Sequence, residues 1–226
     1  MISEQDIPIQ TAVAPRLWNL KYALEWLVTF CSVLAILPML VLLALLVKVT
    51  SPGPVFYVSS RLGRNGRAFR LYKFRSMKTG VSAVIAPDGK IITAANDPRF
   101  TAIGKFLRLG FDELPQLFNV LKGDMCLVGP RPDIPEELER YNSRERLRLL
   151  ALPGITGLTQ VLDGRNLSNA DNYELDVRYV TESNFSADLL IVLFTLPYAF
   201  GFKSLPKRFL GRFLNRKQAS QGATVR

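Results

Sequence analysis

The sequence predicts an α+β domain, rich in helix with a small strand framework, joined to an N-terminal membrane segment. Three observations support this prediction. An uncharged apolar run of 21 residues occupies positions 27–47, an Asn-Gly pair at 65–66 separates two strand-like segments, and apolar residues between 114 and 121 repeat with helical spacing. With 226 residues, the chain is long enough for one moderate core and a membrane element.

The apolar run is a candidate for membrane insertion. As a straight helix it would extend about 31 Å, enough for the hydrocarbon core of a bilayer. A signal peptide fits poorly, because the run starts late and is followed by residues 48–54 (KVTSPGP) rather than by a small-residue cleavage site. Pro38 removes a backbone hydrogen bond near the middle and tends to kink a helix. On these grounds a straight span is favoured, and a re-entrant hairpin with both flanks on one side stays open.

A hairpin and a basic stretch follow the membrane segment. Residues 55–59 and 68–74 are predicted to be strands, because the Asn-Gly pair between them is typical of a hairpin turn. Seven basic and no acidic residues lie between 61 and 79, in a chain of net charge +10. Such charge favours anionic partners, namely phosphorylated substrates, anionic lipid or nucleic acid, and does not choose among them.

The rest of the chain is predicted to be mainly helical. The elements expected are a loop at 80–96, helices at 97–109, 112–123, 133–150 and 169–181, a strand at 158–162 and an apolar segment at 189–200. The helix at 97–109 is expected to start at Asp97 as its N-cap. We therefore expect four regions: an N-terminal tail at 1–16, a membrane segment at 17–50, a catalytic domain at 51–202 and a basic tail at 203–226.

The composition limits the chemistry that the chain can perform. There is no histidine, which excludes histidine bases, serine-histidine triads and histidine-ligated zinc. Cys31 and Cys126 are interpreted as packing residues. Asp112 and Glu113 stand at the predicted start of a helix, where free N–H groups favour negative charge. That is an ordinary place for acidic residues, and it is also a place where phosphate and Mg²⁺ can be held.

These carboxylates and a nearby arginine suggest phosphate chemistry. A carboxylate can attack phosphorus and form an acyl phosphate, which divides one transfer into two displacements. Asp112 is the candidate nucleophile, and Mg²⁺ would bridge carboxylate and phosphate oxygens. Arg131, held between Pro130 and Pro132, is a candidate bidentate phosphate ligand.

Seven segments in the same order resemble the bacterial sugar transferase family, the monotopic polyprenyl-phosphate hexose-1-phosphate (phosphoglycosyl) transferases. The resemblance covers residues 17 to about 200. Its segments are the apolar run with Pro38, 51–56 (SPGPVF), 73–77 (KFRSM), 96–99 (NDPR), 112–132, 153–157 (PGITG) and 174–176 (ELD). Each segment alone is a weak signal, and the seven in order are specific.

The resemblance implies an activity and a topology. The chain would transfer a sugar-1-phosphate from a UDP-sugar to undecaprenyl phosphate and release UMP, as the first membrane step of a surface glycan. Asp112 would attack the sugar-bearing phosphate in a Mg²⁺-dependent ping-pong reaction, with Glu113 positioning the metal or the nucleophile. The resemblance also replaces the straight span with a re-entrant hairpin bent at Pro38, and places the catalytic domain on the cytoplasmic face of the bacterial inner membrane.

The resemblance further suggests which basic and acidic residues line the site. The candidate phosphate-binding residues are Arg131, Lys73, Arg75, Arg99 and Arg108, and the other site candidates are Asp176 and Arg165. For all of these except Arg131, Arg108 and Arg165, a surface charge or a structural salt bridge is an equal alternative. The chain departs from the family pattern in three places: at Leu37-Pro38 in place of Ser-Pro, at Gly110-Phe111 in place of Ser-Leu, and at 160–165, which is one residue longer.

One rival interpretation is a catalytically inactive membrane-associated basic protein that binds anionic lipid or nucleic acid. The intact Asp112, Glu113 and Arg131 argue against it. A nucleic-acid partner is not expected, because the basic residues come without a recognisable reading motif. The sequence leaves open whether the chain forms a homodimer.

Overall fold

A computed structural model of the chain describes residues 15–80, 84–85, 91–92, 97–162 and 167–199. The helices are α1 (Pro15–Thr50), α2 (Gly104–Leu107), α3 (Gln116–Leu121), α4 (Leu158–Val161), α5 (Asn169–Glu182) and α6 (Phe185–Ala199). The strands are β1 (Phe56–Leu62), β2 (Ala68–Phe74), β3 (Val84–Ile85), β4 (Ile91–Ile92), β5 (Cys126–Val128) and β6 (Gly154–Thr156). They form three two-stranded sheets, β1-β2 and β3-β4 antiparallel and β5-β6 parallel. The predicted mixture of helix and small strand elements is confirmed.

The predicted membrane segment is part of α1, which continues through Pro38. Over Asn19–Thr50 this helix is long and apolar enough to cross a membrane, judged by length and composition. Its buried side chains recur at intervals of three, four and seven residues, which places them on one face of the helix. They are Thr29, Val33, Leu40, Leu43 and Val47. Because α1 is one helix, the re-entrant hairpin stays a prediction.

The two ends of α1 lie against the same domain. Near its C-terminal end, Leu43 and Val47 pack with Phe74 of β2 and Leu107 of α2. Near its N-terminal end, the phenol of Tyr22 accepts a hydrogen bond from the backbone N–H of Leu152 at 3.1 Å. The remaining faces of α1 carry exposed apolar side chains, among them Leu27, Leu34, Leu42 and Leu45.

The hairpin prediction is confirmed, with β1 extending three residues beyond the predicted strand. Asn65 and Gly66 have φ angles of 57° and 72°. Asparagine and glycine tolerate this left-handed region best, which explains why this pair makes the turn.

A second core lies around the parallel pair β5-β6. Its buried members are Val128, Ala151, Leu158, Val161, Leu162, Tyr179, Val180 and Ile191. The strands approach closely because glycines face one another. A Cβ added to Gly154 would lie 2.1 Å from the backbone nitrogen of Gly129, and a Cβ on Gly157 would lie 2.2 Å from the carbonyl oxygen of Gly129. The 129–132 turn and the 153–157 segment are therefore packed backbone to backbone.

The predicted helix at 97–109 is wrong for most of its length, because only α2 is helical there. Asp97 does not cap a helix. Its carboxylate instead accepts hydrogen bonds from the backbone N–H and the guanidinium of Arg99. An isolated antiparallel bridge between Met77 and Phe100 holds the segment in an extended course before α2.

The predicted helix at 112–123 is divided in two. Phe111–Glu113 form a 3-10 turn, and α3 begins only after Pro115. Asp112 and Glu113 therefore do not lie in the first turn of a long helix. The free N–H groups of a helix start, which were expected to favour these carboxylates, are therefore not what holds them.

Two further predictions need correction. Residues 133–150 contain two 3-10 segments, Pro135–Glu139 and Glu145–Leu150, because the Asn142 side chain accepts bonds from the N–H groups of residues 144 and 145 and interrupts the helix. Residues 158–162 contain α4 rather than a strand, and the strand is β6, where the glycines permit close pairing.

The helix predicted at 169–181 is confirmed as α5, with the Ser168 hydroxyl accepting a hydrogen bond from the N–H of Asp171. The apolar segment predicted at 189–200 lies largely in α6, where Ile191 is buried while Leu189 and Leu193 are exposed. Residues 1–14 and 200–226 lie outside the described residues, and with them the basic tail at 203–226 and all of the N-terminal tail except Pro15 and Arg16, which begin α1.

Candidate active site

Asp112 and Glu113 are presented by the 3-10 turn Phe111–Glu113. The turn is preceded by Gly110, whose φ of 115° lies in the left-handed region. A side chain at this position would be strained, so a glycine is required to enter the turn in this direction. Gly110 thus determines the direction in which the chain enters the turn that carries the two carboxylates.

Lys73 and Arg131 bring positive charge to this turn. The Nζ of Lys73 lies 2.5 Å from Oε1 of Glu113, and Nη2 of Arg131 lies 3.9 Å from the same oxygen. Lys73 comes from β2 and Arg131 from the turn after β5. Three predicted site residues from separate parts of the chain therefore meet at one carboxylate.

Asn119 fixes β2 beside α3 and thereby sets the position of Lys73. Its Oδ1 accepts a hydrogen bond from the N–H of Tyr72 at 3.1 Å, and its Nδ2 donates to the carbonyl of Arg70 at 2.7 Å. The side chain is fully buried. These two bonds pair a backbone N–H and a backbone carbonyl at the free edge of β2, as a neighbouring strand would.

The two carboxylates have different electrostatic environments. Burial raises the pKa of Asp112, an effect that Lys73 opposes and the charge of Glu113 reinforces. Burial also acts to raise the pKa of Glu113, but Lys73 and Arg131 outweigh it, so this pKa is lowered. Arg108 lowers the pKa of both carboxylates. Neighbouring acids whose pKa values are displaced in opposite directions are typical of carboxylates with separate roles.

A buried arginine, Arg148, supports the turn that carries Arg131. Its Nη2 donates to the carbonyl oxygen of Arg131 at 2.8 Å and lies 2.6 Å from Oδ2 of Asp176. Its Nη1 contacts the carboxylate of Asp133 and the hydroxyl of Tyr141. Asp176 therefore lies behind the turn and acts on Arg131 through Arg148.

The N-terminal part of α1 is bonded to the strand that leads to Arg131. The Nζ of Lys21 donates to the carbonyl of Val128 at 2.5 Å, and the carboxylate of Glu25 accepts from the N–H of Leu127 at 3.0 Å. Lys21 also lies 3.3 Å from the carboxylate of Asp188 on α6. Helix α1, strand β5 and helix α6 are thus held in one polar network beside the turn that carries Arg131.

The structure does not bring every predicted residue to the dyad. Arg75 is buried, with Nη1 bonded to the carbonyl of Pro52 and Nη2 to that of Ser51, so it holds the chain where α1 ends. Arg99 is paired with Asp97 at 2.6 Å. Arg108 lies close enough to affect both carboxylates and stacks over the ring of Phe100 at 5.7 Å. Arg165 lies outside the described residues.

Two supporting residues were not singled out from the sequence. Arg148 lies in a charge-rich stretch that resembles a solvated helix, and its signal is the Asp176 of the 174–176 motif, since a buried carboxylate needs a cation. Asn119 lies among apolar residues of α3, where a polar side chain within a buried face is the feature that marks it.

The donor set at the dyad fits Mg²⁺ only together with a substrate. In the part of the chain that the structure describes, no cluster of three or more acidic, cysteine or histidine side chains could hold a metal ion. Asp112 and Glu113 supply two carboxylates within one turn. Mg²⁺ in phosphate-transfer sites is commonly held by one or two carboxylates together with substrate phosphates and water. The residues present therefore fit an ion that is shared with a bound phosphate.

Comparisons with known proteins agree on one family. A family model described as Bacterial sugar transferase matches residues 16–201. The chain is 37% identical over 204 residues to the Exopolysaccharide production protein ExoY of Sinorhizobium fredii, an alignment that covers 84% of this chain and 90% of that protein.

Two longer relatives have more descriptive names. The chain is 50% identical over 132 residues to the Undecaprenyl-phosphate galactose phosphotransferase of Salmonella typhimurium, covering 53% of this chain and 28% of that protein. It is 38% identical over 188 residues to the UDP-glucose:undecaprenyl-phosphate glucose-1-phosphate transferase of Escherichia coli, covering 78% of this chain and 39% of that protein. The chain thus spans less than half the length of these two relatives.

Proposed function

Because the chain belongs to the bacterial sugar transferase family, we propose that it transfers a sugar-1-phosphate from a UDP-sugar to undecaprenyl phosphate and releases UMP. The chain is an enzyme of the sugar-1-phosphate transferase class. The acceptor appears in the names of the Salmonella and Escherichia relatives, and a UDP-sugar donor in that of the latter. The name of the Sinorhizobium relative, of similar length, supports a role in exopolysaccharide synthesis.

The observation that carries this proposal is the convergence of Lys73 and Arg131 on Glu113, directly beside Asp112. The two positive charges of Lys73 and Arg131 exceed the single negative charge of Glu113. An incoming phosphate, which brings further negative charge, can be accepted there. Asp112 stands next to that charge and makes no salt bridge within the described residues, so its carboxylate is available to react.

The proposed reaction has two displacements on one phosphorus atom. An oxygen of Asp112 attacks the sugar-bearing phosphorus of the donor, and the bond to the bridging oxygen breaks with its electron pair leaving on UMP. An oxygen of undecaprenyl phosphate then attacks the same phosphorus and the bond to Asp112 breaks, which restores the carboxylate. No net proton transfer is required, which is consistent with a chain without histidine.

Asp112 and Glu113 would hold Mg²⁺ together with the donor phosphates. When bound, the ion would neutralise charge on the phosphate oxygens and so reduce the repulsion between substrate and carboxylate. In this arrangement Lys73 holds Glu113 in place, and Arg131 binds a non-bridging phosphate oxygen.

A re-entrant membrane arrangement of α1 is part of the proposal. Tyr22 and Val47, 25 positions apart, both contact the same domain, and this supports the proposal that both flanks of the apolar run lie on its side of the membrane. We place the domain on the cytoplasmic face of the inner membrane, where nucleotide sugars are made and where its basic surface meets anionic lipid.

Activity can be tested with the purified full-length protein in nanodiscs, with Mg²⁺ and a panel of UDP-sugars, each with and without undecaprenyl phosphate. UMP release that depends on the lipid would support the proposal and identify the donor. Folded protein that releases no UMP with any donor would favour the rival interpretation of an inactive membrane-associated protein.

A further inference from the structure

Strand β1 presents a row of polar side chains on the face that leads to the dyad. Cα partners in an antiparallel pair project their side chains to the same face, and every second residue of a strand shares that face. Lys73 uses this face to reach Glu113. The residues of β1 that share the face follow from the register pairs Tyr57↔Lys73, Ser59↔Leu71 and Arg61↔Phe69.

Two polar atoms on this face are buried without a partner. Ser59 Oγ and Arg61 Nε make no hydrogen bond within the described parts of the chain. Native structures pair nearly all buried polar groups, so an unpaired hydroxyl and an unpaired guanidinium nitrogen on one strand face require an explanation. By contrast, the guanidinium of Arg148 bonds the carboxylates of Asp133 and Asp176 and the carbonyl of Arg131. Donors that lack a protein partner at a site of phosphate chemistry are candidates to bind the substrate.

The end of β1 that carries Arg61 is bonded to the turn that carries Arg131. The N–H of Leu62, the residue after Arg61, donates to the carbonyl of Asp133 at 2.8 Å, which ties the end of β1 to the turn that carries Arg131. Burial and the positive charge of Arg131 both lower the pKa of Arg61. The two positive charges repel each other, the carboxylates of Asp133 and Glu136 oppose this effect in part, and a bound anion would relieve it further.

The stereochemistry of two displacements on one phosphorus atom indicates which anion this is. If Asp112 attacks in line, the leaving phosphate departs on the side opposite the aspartate. The acceptor phosphate, which displaces Asp112 in turn, must approach from that same side. One subsite therefore has to receive a phosphate monoester twice in each cycle, first as the leaving nucleoside monophosphate and then as the incoming lipid phosphate.

We propose that Ser59 and Arg61, together with Arg131, form this phosphate subsite and bind the leaving and the attacking phosphate in turn. The inference rests on the proposed function, because it assigns residues to that reaction. In the first displacement the bridging oxygen keeps the electron pair of the broken bond, and the guanidinium groups stabilise the charge that develops on it. In the second, the same groups hold the lipid phosphate while one of its oxygens forms the new bond and Asp112 regains its carboxylate.

The test uses the full-length protein in nanodiscs with the variants Arg61→Gln, Arg61→Lys and Ser59→Ala. Arg70→Gln is the matched control, because Arg70 belongs to the same hairpin, carries the same charge and is exposed on the opposite face. Binding of UMP is measured by calorimetry without turnover, and the KM for undecaprenyl phosphate is measured in the complete reaction. Thermal unfolding of each variant establishes that it is folded.

We expect Arg61→Gln to weaken UMP binding and to raise the KM for the lipid phosphate, each by about tenfold to a hundredfold, as for loss of a charged hydrogen bond. Ser59→Ala should change both by about fivefold. Arg61→Lys should recover part of the loss, and Arg70→Gln should leave both values within about twofold of the wild type, as expected of an exposed charge. Should Arg61→Gln not fold, Ser59→Ala and Arg61→Lys still provide the same comparison.

Two results would overturn the inference. Arg61→Gln and Ser59→Ala that behave like Arg70→Gln would show that β1 does not contact the phosphates. A change in UMP binding alone, or in lipid phosphate alone, would show that the two phosphates do not share a subsite. Failure of the proposed function looks different, because wild-type protein would then release no UMP with any donor, while calorimetry would still report whether Arg61 binds the nucleotide.

Discussion

Replacing Asp176 by asparagine should both lower the Tm of the protein and raise the KM for the donor. Asp176 and Arg148 are both 3% exposed, and the substitution leaves a buried guanidinium without its closest carboxylate. Breaking such a pair costs about 3–5 kcal/mol, and we expect the lower end of that range because Asp133 still contacts Arg148. For a domain of this size, about 3 kcal/mol lowers the Tm by about 6–12 °C.

A control lies two residues away on the same helix. Glu174 is 36% exposed and pairs with Arg144 and Arg178, which are 64% and 46% exposed. Exposed pairs of this kind contribute about 0.2–1 kcal/mol each, so Glu174→Gln should lower the Tm by only a few degrees. Both variants have the same change of charge and remain in α5.

The assay combines thermal unfolding of purified full-length protein with steady-state kinetics. Because Arg148 also bonds the carbonyl of Arg131, Asp176→Asn should raise the KM for the donor, whereas Glu174→Gln should not. Equal losses of Tm in the two variants would refute the buried pair as the source of stability. A large loss of Tm with an unchanged KM would refute the connection between Asp176 and the turn that carries Arg131.

Three further predictions concern the dyad and its supports. Lys73→Met removes a cation that lowers the pKa of both Asp112 and Glu113, so both pKa values should rise. Because the proposed nucleophile must be ionised, the acid limb of the profile of kcat/KM against pH should then move to higher pH. Lys73→Arg should largely restore the wild-type profile. Asn119→Leu leaves the N–H of Tyr72 and the carbonyl of Arg70 unpaired, at a cost of about 1–3 kcal/mol for each group that stays dry. Chemical denaturation in detergent should report a loss of stability far above that of Asn169→Leu, a substitution at the exposed start of α5. Gly110→Ala forces a side chain into left-handed backbone and should cost about 1–2 kcal/mol in thermal unfolding while also lowering kcat; an unchanged Tm would mean that the turn adopts another conformation.

The sequence was a good guide wherever a local pattern determined the structure. The Asn-Gly pair predicted the hairpin, the length of the apolar run predicted a helix where α1 lies, and a helix was expected at 169–181, where α5 lies. Asp112, Glu113, Lys73 and Arg131 were expected at one site, and the structure brings them together.

Two of the misses arise because long-range contacts overrode local preference, and a third arises from a local ion pair. The strand expected at 158–162 lies earlier, at β6, because only glycines allow the backbone of 153–157 to pack against Gly129. The helix expected from Asp97 is absent because Arg99 takes the carboxylate that would have capped it. Arg75 was expected to bind phosphate and instead holds the end of α1, a role that depends on how the helix meets β1.

Surface and buried charges also could not be separated from the sequence. Arg148 and Arg144 lie four positions apart in the same basic stretch, yet one is buried against Asp176 and the other forms an exposed pair with Glu174. Arg61 belonged to a run of basic residues that was expected to meet phosphate or lipid, and only the strand register places it on the face of Lys73. Such distinctions require the packing of distant segments.

A covalent intermediate on Asp112 can be tested directly by mass spectrometry of the protein after incubation with Mg²⁺ and a UDP-sugar, without lipid acceptor. We expect an added mass of one sugar-phosphate on the peptide that contains Asp112. This adduct should disappear when undecaprenyl phosphate is added and should never form in Asp112→Asn. Normal turnover without this adduct, or full activity of Asp112→Asn, would contradict a covalent intermediate on Asp112.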